Sequence, residues 1–115
     1  MFEKKSNDFS IIDKGLTVEG TVCCKGKLIV KGTLKGKLNG ENVIIAKDGA
    51  VYADTTAINI SVGGIFEGVI RSVHELVILS SGICSGKVNC QSLALEPGGI
   101  LNAEVNCLSD EAKKM

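Results

Sequence analysis

The stretch LIVKGTLKGKLNG, residues Leu28 to Gly40, places a glycine at every fourth position: Gly32, Gly36 and Gly40. Leu28, Val30, Leu34 and Leu38 lie between them, and lysines fill most of the gaps. A helix would lose about 0.8–1 kcal/mol at each glycine relative to alanine. An isolated half-buried strand would lack side chains to pack. The pattern becomes intelligible when the chain is searched for internal repeats.

An eleven-residue frame recurs: an aliphatic residue at the first place, glycine at the fifth, glycine or alanine at the ninth and usually an aliphatic residue at the eleventh. LIVKGTLKGKL from Leu28, IAKDGAVYADT from Ile45, ISVGGIFEGVI from Ile60, ILSSGICSGKV from Ile78 and LEPGGILNAEV from Leu95 all fit. Their starts are 17, 15, 18 and 17 residues apart. A poorer copy surrounds IIDKGLTVEGTV, with Gly15 placed 17 residues before Gly32. Stacked, the copies give columns: Leu28, Ile45, Ile60, Ile78, Leu95; then Gly32, Gly49, Gly64, Gly82, Gly99; then Leu34, Val51, Phe66, Cys84, Leu101; then Leu38, Thr55, Ile70, Val88, Val105. The eighth and tenth columns are mainly polar, so each copy alternates with period two and reads as strand with one wet face.

Repeats this short leave no room for helical crossovers between parallel strands. They predict an all-β, single-domain parallel β-helix of about six coils of ~17 residues, stacked at the ~4.7–4.9 Å strand spacing. The glycine column is expected at a corner, at positive φ. The small ninth column is expected where the coils converge. A β-sandwich also has frequent turns, but it does not require columns to match across five copies.

Composition narrows the function. Lys plus Arg equals Asp plus Glu at 13 each, so no net charge draws the chain to nucleic acid. Three Phe, one Tyr and no Trp offer few rings for stacking bases. No apolar run reaches 18 residues, and MFEKKSNDFSIID lacks the apolar region of a secretory signal. The expected location is the cytoplasm, where Cys23, Cys24, Cys84, Cys90 and Cys107 stay as thiols. Cys90 and Cys107, each following Val-Asn, are expected on successive coils, in a column of small buried residues continuing Gly40, Ala57 and Ser72; Asn89 and Asn106 should form an amide ladder beside them. A redox or metal role for the cysteines is the sharper alternative, without a CxxC pair to support it.

No site for chemistry emerges. His74 is the single histidine, so a three-histidine zinc site cannot form within one chain. It reads as a surface or turn residue, which weighs against acyltransferases of similar repeat architecture. The glycine-rich stretches lack GxxxxGK[ST]. No cofactor and no metal are expected, and the chain is read as a non-enzyme. Lys25, Lys27, Lys31, Lys35 and Lys37 read as a solvated face that discourages edge pairing, with an anionic lipid or glycan as the alternative ligand.

GLTVEGTVCCKGKLIVKGTLKGKLNGENVIIAKDGAVYAD and GGILNAEV resemble the bactofilins, bacterial polymer-forming proteins, and the likeness runs from about Ile11 to Leu108. The resemblance implies a right-handed β-helix of triangular section. It implies self-assembly into nucleotide-independent filaments, a cytoskeletal scaffold for cell shape or envelope organisation, and in some members a membrane-contacting N-terminal tail. The division expected is a flexible tail over 1–10, a polymerisation domain over 11–108 and a short tail over 109–115.

Elementary physics points the same way. A solenoid ends in unpaired strand edges, and soluble solenoids hide these under polar caps. Here Ile11, Ile12, Leu16, Val18 and Val22 crowd the first coil, and Leu93, Leu95, Ile100, Leu101, Val105 and Leu108 crowd the last. All but Val22 form the expected polymerisation interface of ten residues, and the first partner is another copy of the chain. Met1, Phe2, Lys4 and Lys5 are the expected membrane contact at the cytoplasmic face of the inner membrane. A cell-wall enzyme is a further candidate partner. The competing reading is a binding module whose outer face recruits such an enzyme or a glycan.

Overall fold

A computed structural model describes residues 9–107. Nine strands follow one another: β1 (Phe9–Ile12), β2 (Thr17–Cys23), β3 (Lys27–Val30), β4 (Thr33–Asn39), β5 (Asn42–Ile45), β6 (Ala50–Val62), β7 (Ile65–Ile78), β8 (Ile83–Leu95) and β9 (Ile100–Cys107). Every pairing is parallel. The chain forms a β-solenoid of about six turns. Each turn bends three times, so it has three sides. Side A runs through β1, β3, β5 and the later parts of β6, β7 and β8, whereas sides B and C run through β2, β4, the earlier parts of β6, β7 and β8, and β9.

The inward side chains form four columns. Val18, Leu34, Val51, Phe66, Cys84 and Leu101 line side B, and Val22, Leu38, Thr55, Ile70, Val88 and Val105 line side C. Both match the seventh and eleventh columns of the repeat. On side A the first column resolves into two. Leu28, Val43, Ile60, Leu76 and Leu93 share one, while Ile12, Val30, Ile45, Val62, Ile78 and Leu95 share the other. Leu28 and Ile45 are therefore not stacked. The corner before the glycine column holds one residue after Val30 and Val62, but three after Ile45, Ile78 and Leu95. Counting back from the glycine crosses corners of unequal length.

The glycine column has a different cause from the one expected. None of Gly32, Gly49, Gly64, Gly82 and Gly99 has positive φ. A Cβ there would instead strike the preceding coil's backbone, at 2.2 Å from the Val30 carbonyl oxygen for Gly49 and 2.1 Å from that of Val62 for Gly82. Gly15 does not belong to this column. Thr17 pairs with Thr33, so Leu16 faces Gly32, and Gly15 occupies the turn at φ 82°. Positive φ belongs to the ninth column, at Gly36 (125°), Gly68 (135°) and Gly86 (118°), where the strand bends from side B to side C. Ala53, in the same column, does without it.

The third bend carries inserted residues, between Ala57 and Asn59 and between Ser72 and Glu75. Ser72 is buried there, its Oγ within hydrogen-bond reach of the carbonyls of Ile58 (3.0 Å) and Glu75 (2.8 Å). A hydroxyl at this position satisfies backbone groups that the insertion removes from the ladder. Thr55 is less well placed: its Oγ1 is buried in an aliphatic column with no partner among the described residues.

Candidate self-association surface

The inward columns are sealed in the middle of the solenoid and open at its ends. Leu34, Val51, Phe66 and Cys84 are all at 0% exposure, but Val18 below them and Leu101 above are only half-buried. On side C, Leu38, Ile70 and Val88 are sealed between half-buried Val22 and Val105. On side A, Ile78 is fully buried, Leu93 is half-buried and Leu95 is 50% exposed. These terminal side chains have the shape and chemistry of core residues and lack only a next coil. Ala103, Val22 and Cys24 pack against the core in the same half-covered way. Ala103 and Val22 complete the end rows that the ten-residue expectation left short.

The other expected interface residues divide by direction. Ile12 is only 6% exposed, so its column on side A is closed at the first end. Leu16 is 49% exposed at the first corner. Ile11 and Ile100 lie on the outer surface, because each adjoins an inward residue in its strand. Leu108 and the tail residues Met1, Phe2, Lys4 and Lys5 lie outside the described residues.

The backbone repeats the pattern. Among the described residues, inner strands pair on both sides, whereas β1 pairs only with β3, β2 only with β4, and β9 only with β8. Both ends therefore carry strand edges beside uncovered aliphatic side chains. An added coil would satisfy both at once.

No group of three or more His, Cys, Asp or Glu able to hold a metal exists among the described residues. His74 is exposed on β7, and its Nδ1 lies 3.0 Å from Asn59 Oδ1. Asn59 in turn donates to Asn42 at 3.0 Å, and Asn106 donates to Asn89 at 3.2 Å, the amide ladder expected from their spacing. Cys90 pairs in register with Cys107. Burial pushes the Cys84 thiol up to about 11, away from the reactive thiolate.

The lysines do not form one face. Lys27 points out from side A, Lys35 from side B and Lys37 from side C, so they make a belt around the second coil. Lys14, at the first corner, approaches Asp48 at 3.6 Å. No described helix is long and apolar enough to cross a membrane.

A family model described as Bactofilin, polymer-forming cytoskeletal, matches residues 10–106. The solid-state NMR structure of the cytoskeletal bactofilin BacA has the same fold, with a TM-score of 0.81 over 88% of this chain and 97% of that one, at 24% identity. None of the curated proteins matches.

Proposed function

The chain belongs to the bactofilins, polymer-forming cytoskeletal proteins, and on that premise we propose that its subunits join end to end through the terminal coils into nucleotide-independent filaments. The observation that carries the reading is the set of inward columns, sealed at the centre, half-open at both ends on sides B and C and open at the last coil on side A. Full burial of an aliphatic side chain is worth about 1.5–3 kcal/mol. Six partly exposed side chains shared between two ends recover about 3–6 kcal/mol. Association costs ~4–15 kcal/mol, and the edge strands supply ladder hydrogen bonds toward the remainder.

In this reading the filament is a scaffold in the cytoplasm for cell shape or envelope organisation. Met1, Phe2, Lys4 and Lys5 reach the inner membrane from many subunits together. Single tails bind weakly, at about 1 kcal/mol per lysine near an anionic surface, and multivalency raises this ~10²–10⁴-fold. Partners such as cell-wall enzymes would be recruited along the polymer.

Sedimentation and negative-stain microscopy without nucleotide test the assembly. Leu101→Arg and Val105→Arg should give folded, discrete subunits, because a charge at the end face resists desolvation. Filaments unchanged in both variants would exclude these residues from the junction. Flotation with anionic liposomes should fail both for Leu101→Arg and for a chain lacking residues 2–5; binding that survives the deletion would refute the tail's role.

A further inference from the structure

Side A carries an apolar stripe on its outer surface. Ile11, Ile29, Ile44, Ser61, Val77 and Ala94 pair in register through all six coils and point away from the core, alternating with the inward columns. Side A strands such as KLIV, NVII and LVIL consequently read as near-continuous apolar runs. Parallel strands of that composition normally have both faces covered. Side C, by contrast, presents Lys37, Asp54, Val69, Lys87 and Glu104 in one outward column, four of the five charged.

The charge along the solenoid axis is uneven. Residues 10–58, the first three coils, hold seven lysines against five acidic residues, and residues 59–107, the last three, hold one Arg and one Lys against four acidic residues. The first three coils are thus modestly basic and the last three modestly acidic. We propose that side A is a lateral contact between two copies of this chain lying antiparallel, each copy's basic coils against the other's acidic coils.

The symmetry makes the proposal specific. Two identical faces can meet about a two-fold axis parallel to the solenoid or one parallel to the strands. The first sets basic coils against basic coils. The second reverses the solenoid and keeps each outward column opposite itself. The first coil then meets the partner's sixth, the second its fifth, and the third its fourth. In the stripe, Ile29 meets Val77 and Ile44 meets Ser61. In the adjacent outward column, Lys27 of the second coil meets Glu75 of the fifth, twice per pair. Side B fits less well. Its exposed isoleucines, Ile65, Ile83 and Ile100, would face Ala50, Thr33 and Thr17 under the same operation.

The area sets the condition for pairing. Six coils span about 24 Å and four strand residues about 13 Å, roughly 300 Å² of face. A stable interface buries about 800 Å² per partner, so single subunits stay apart and filaments pair by multiplicity. To that extent the inference rests on end-to-end assembly.

Carbodiimide, which joins an amine to a carboxylate in direct contact, tests it on the full-length protein. Within one chain Lys27 and Glu75 are three strand spacings apart, ~14 Å, too far to react, so a Lys27–Glu75 linked peptide reports contact between copies. Polymerised wild-type protein should yield that peptide in mass spectra and paired filaments under the microscope. Ile44→Glu should remove both and leave single filaments. Lys27→Glu should separate the filaments, and adding Glu75→Lys should pair them again. Filaments that give no Lys27–Glu75 link, or that pair equally well as Ile44→Glu, overturn the lateral contact while leaving end-to-end assembly intact. Wild-type protein that remains as discrete subunits overturns both.

Discussion

Gly82→Ala adds one methyl group to the middle of the glycine column, and its sign separates two explanations of that column. Gly82 lacks positive φ, so alanine can adopt its backbone conformation. On chain entropy alone the change would stabilise the fold by about 0.4–1 kcal/mol. The new Cβ, however, would lie 2.1 Å from the Val62 carbonyl oxygen and 3.0 Å from its carbon. Ordinary contact begins near 3.4 Å, so the coils must part by more than 1 Å. The hydrogen bonds from Leu79 N to Val62 O and from Ile83 N to Gly64 O, both 2.8 Å, would then stretch past useful length. Two such bonds are worth about 1–3 kcal/mol, and the displaced packing adds about 1–3 kcal/mol. The net loss is about 1–6 kcal/mol after the entropy gain. At roughly 4 °C per kcal/mol for this size, the melting midpoint should fall about 4–22 °C. Gly40→Ala is the control. Its Cβ meets only the tip of Val43 at 3.1 Å, with the next atom at 3.8 Å, and its melting point should stay within about 2 °C of the parent, as for an ordinary surface change. Both variants should be melted by circular dichroism across a range of protein concentration, since assembly raises apparent stability. Equal losses in the two variants, or a Gly82→Ala midpoint that matches wild type, would refute the carbonyl contact as the reason for the column.

Thr55→Val should stabilise the subunit by about 1 kcal/mol, because it removes a buried hydroxyl without a partner; a lower denaturation midpoint in urea would show that Oγ1 is in fact satisfied. Cys84 should resist alkylation in the native subunit while exposed Cys23 reacts, and equal rates would contradict its burial. Since the Cys84 thiol is raised from 9.0 to about 11 on folding, its neutral form supports the fold fully below pH 9, and that support is lost as pH rises toward 11. Cys84→Val should therefore lose less stability than wild type between those values. Cys90 and Cys107 pair in register, within the 4.4–6.8 Å Cα range of disulfides at a ~4.8 Å strand spacing. Mild oxidation should link them within one chain, and a preferred Cys84–Cys90 link in peptide mass spectra would contradict the register.

Much of this fold is written into the order of glycine and aliphatic residues. Leu34, Val51, Phe66, Cys84 and Leu101 align in the sequence and stack in the solenoid, because period-two alternation assigns each side chain to one face and the repeat assigns it to one coil. The Asn89–Asn106 ladder and the Cys90–Cys107 pairing follow from the same counting. The same counting puts Val18 at one end of its column and Leu101 at the other. Corners are where counting fails. A one-residue link after Val30 and a three-residue link after Ile45 close the same bend, so Leu28 and Ile45 share a place in the sequence frame and not in space. Which glycines take positive φ depends on the angle between two sides, and whether a Cβ fits depends on a carbonyl in the preceding coil; neither neighbour is close in sequence. Lys27, Lys35 and Lys37 are outward residues of one coil, and only the three-sided section sends them in three directions. The outer stripe of side A likewise appears only when six strands are set side by side, since each segment contributes one residue to it.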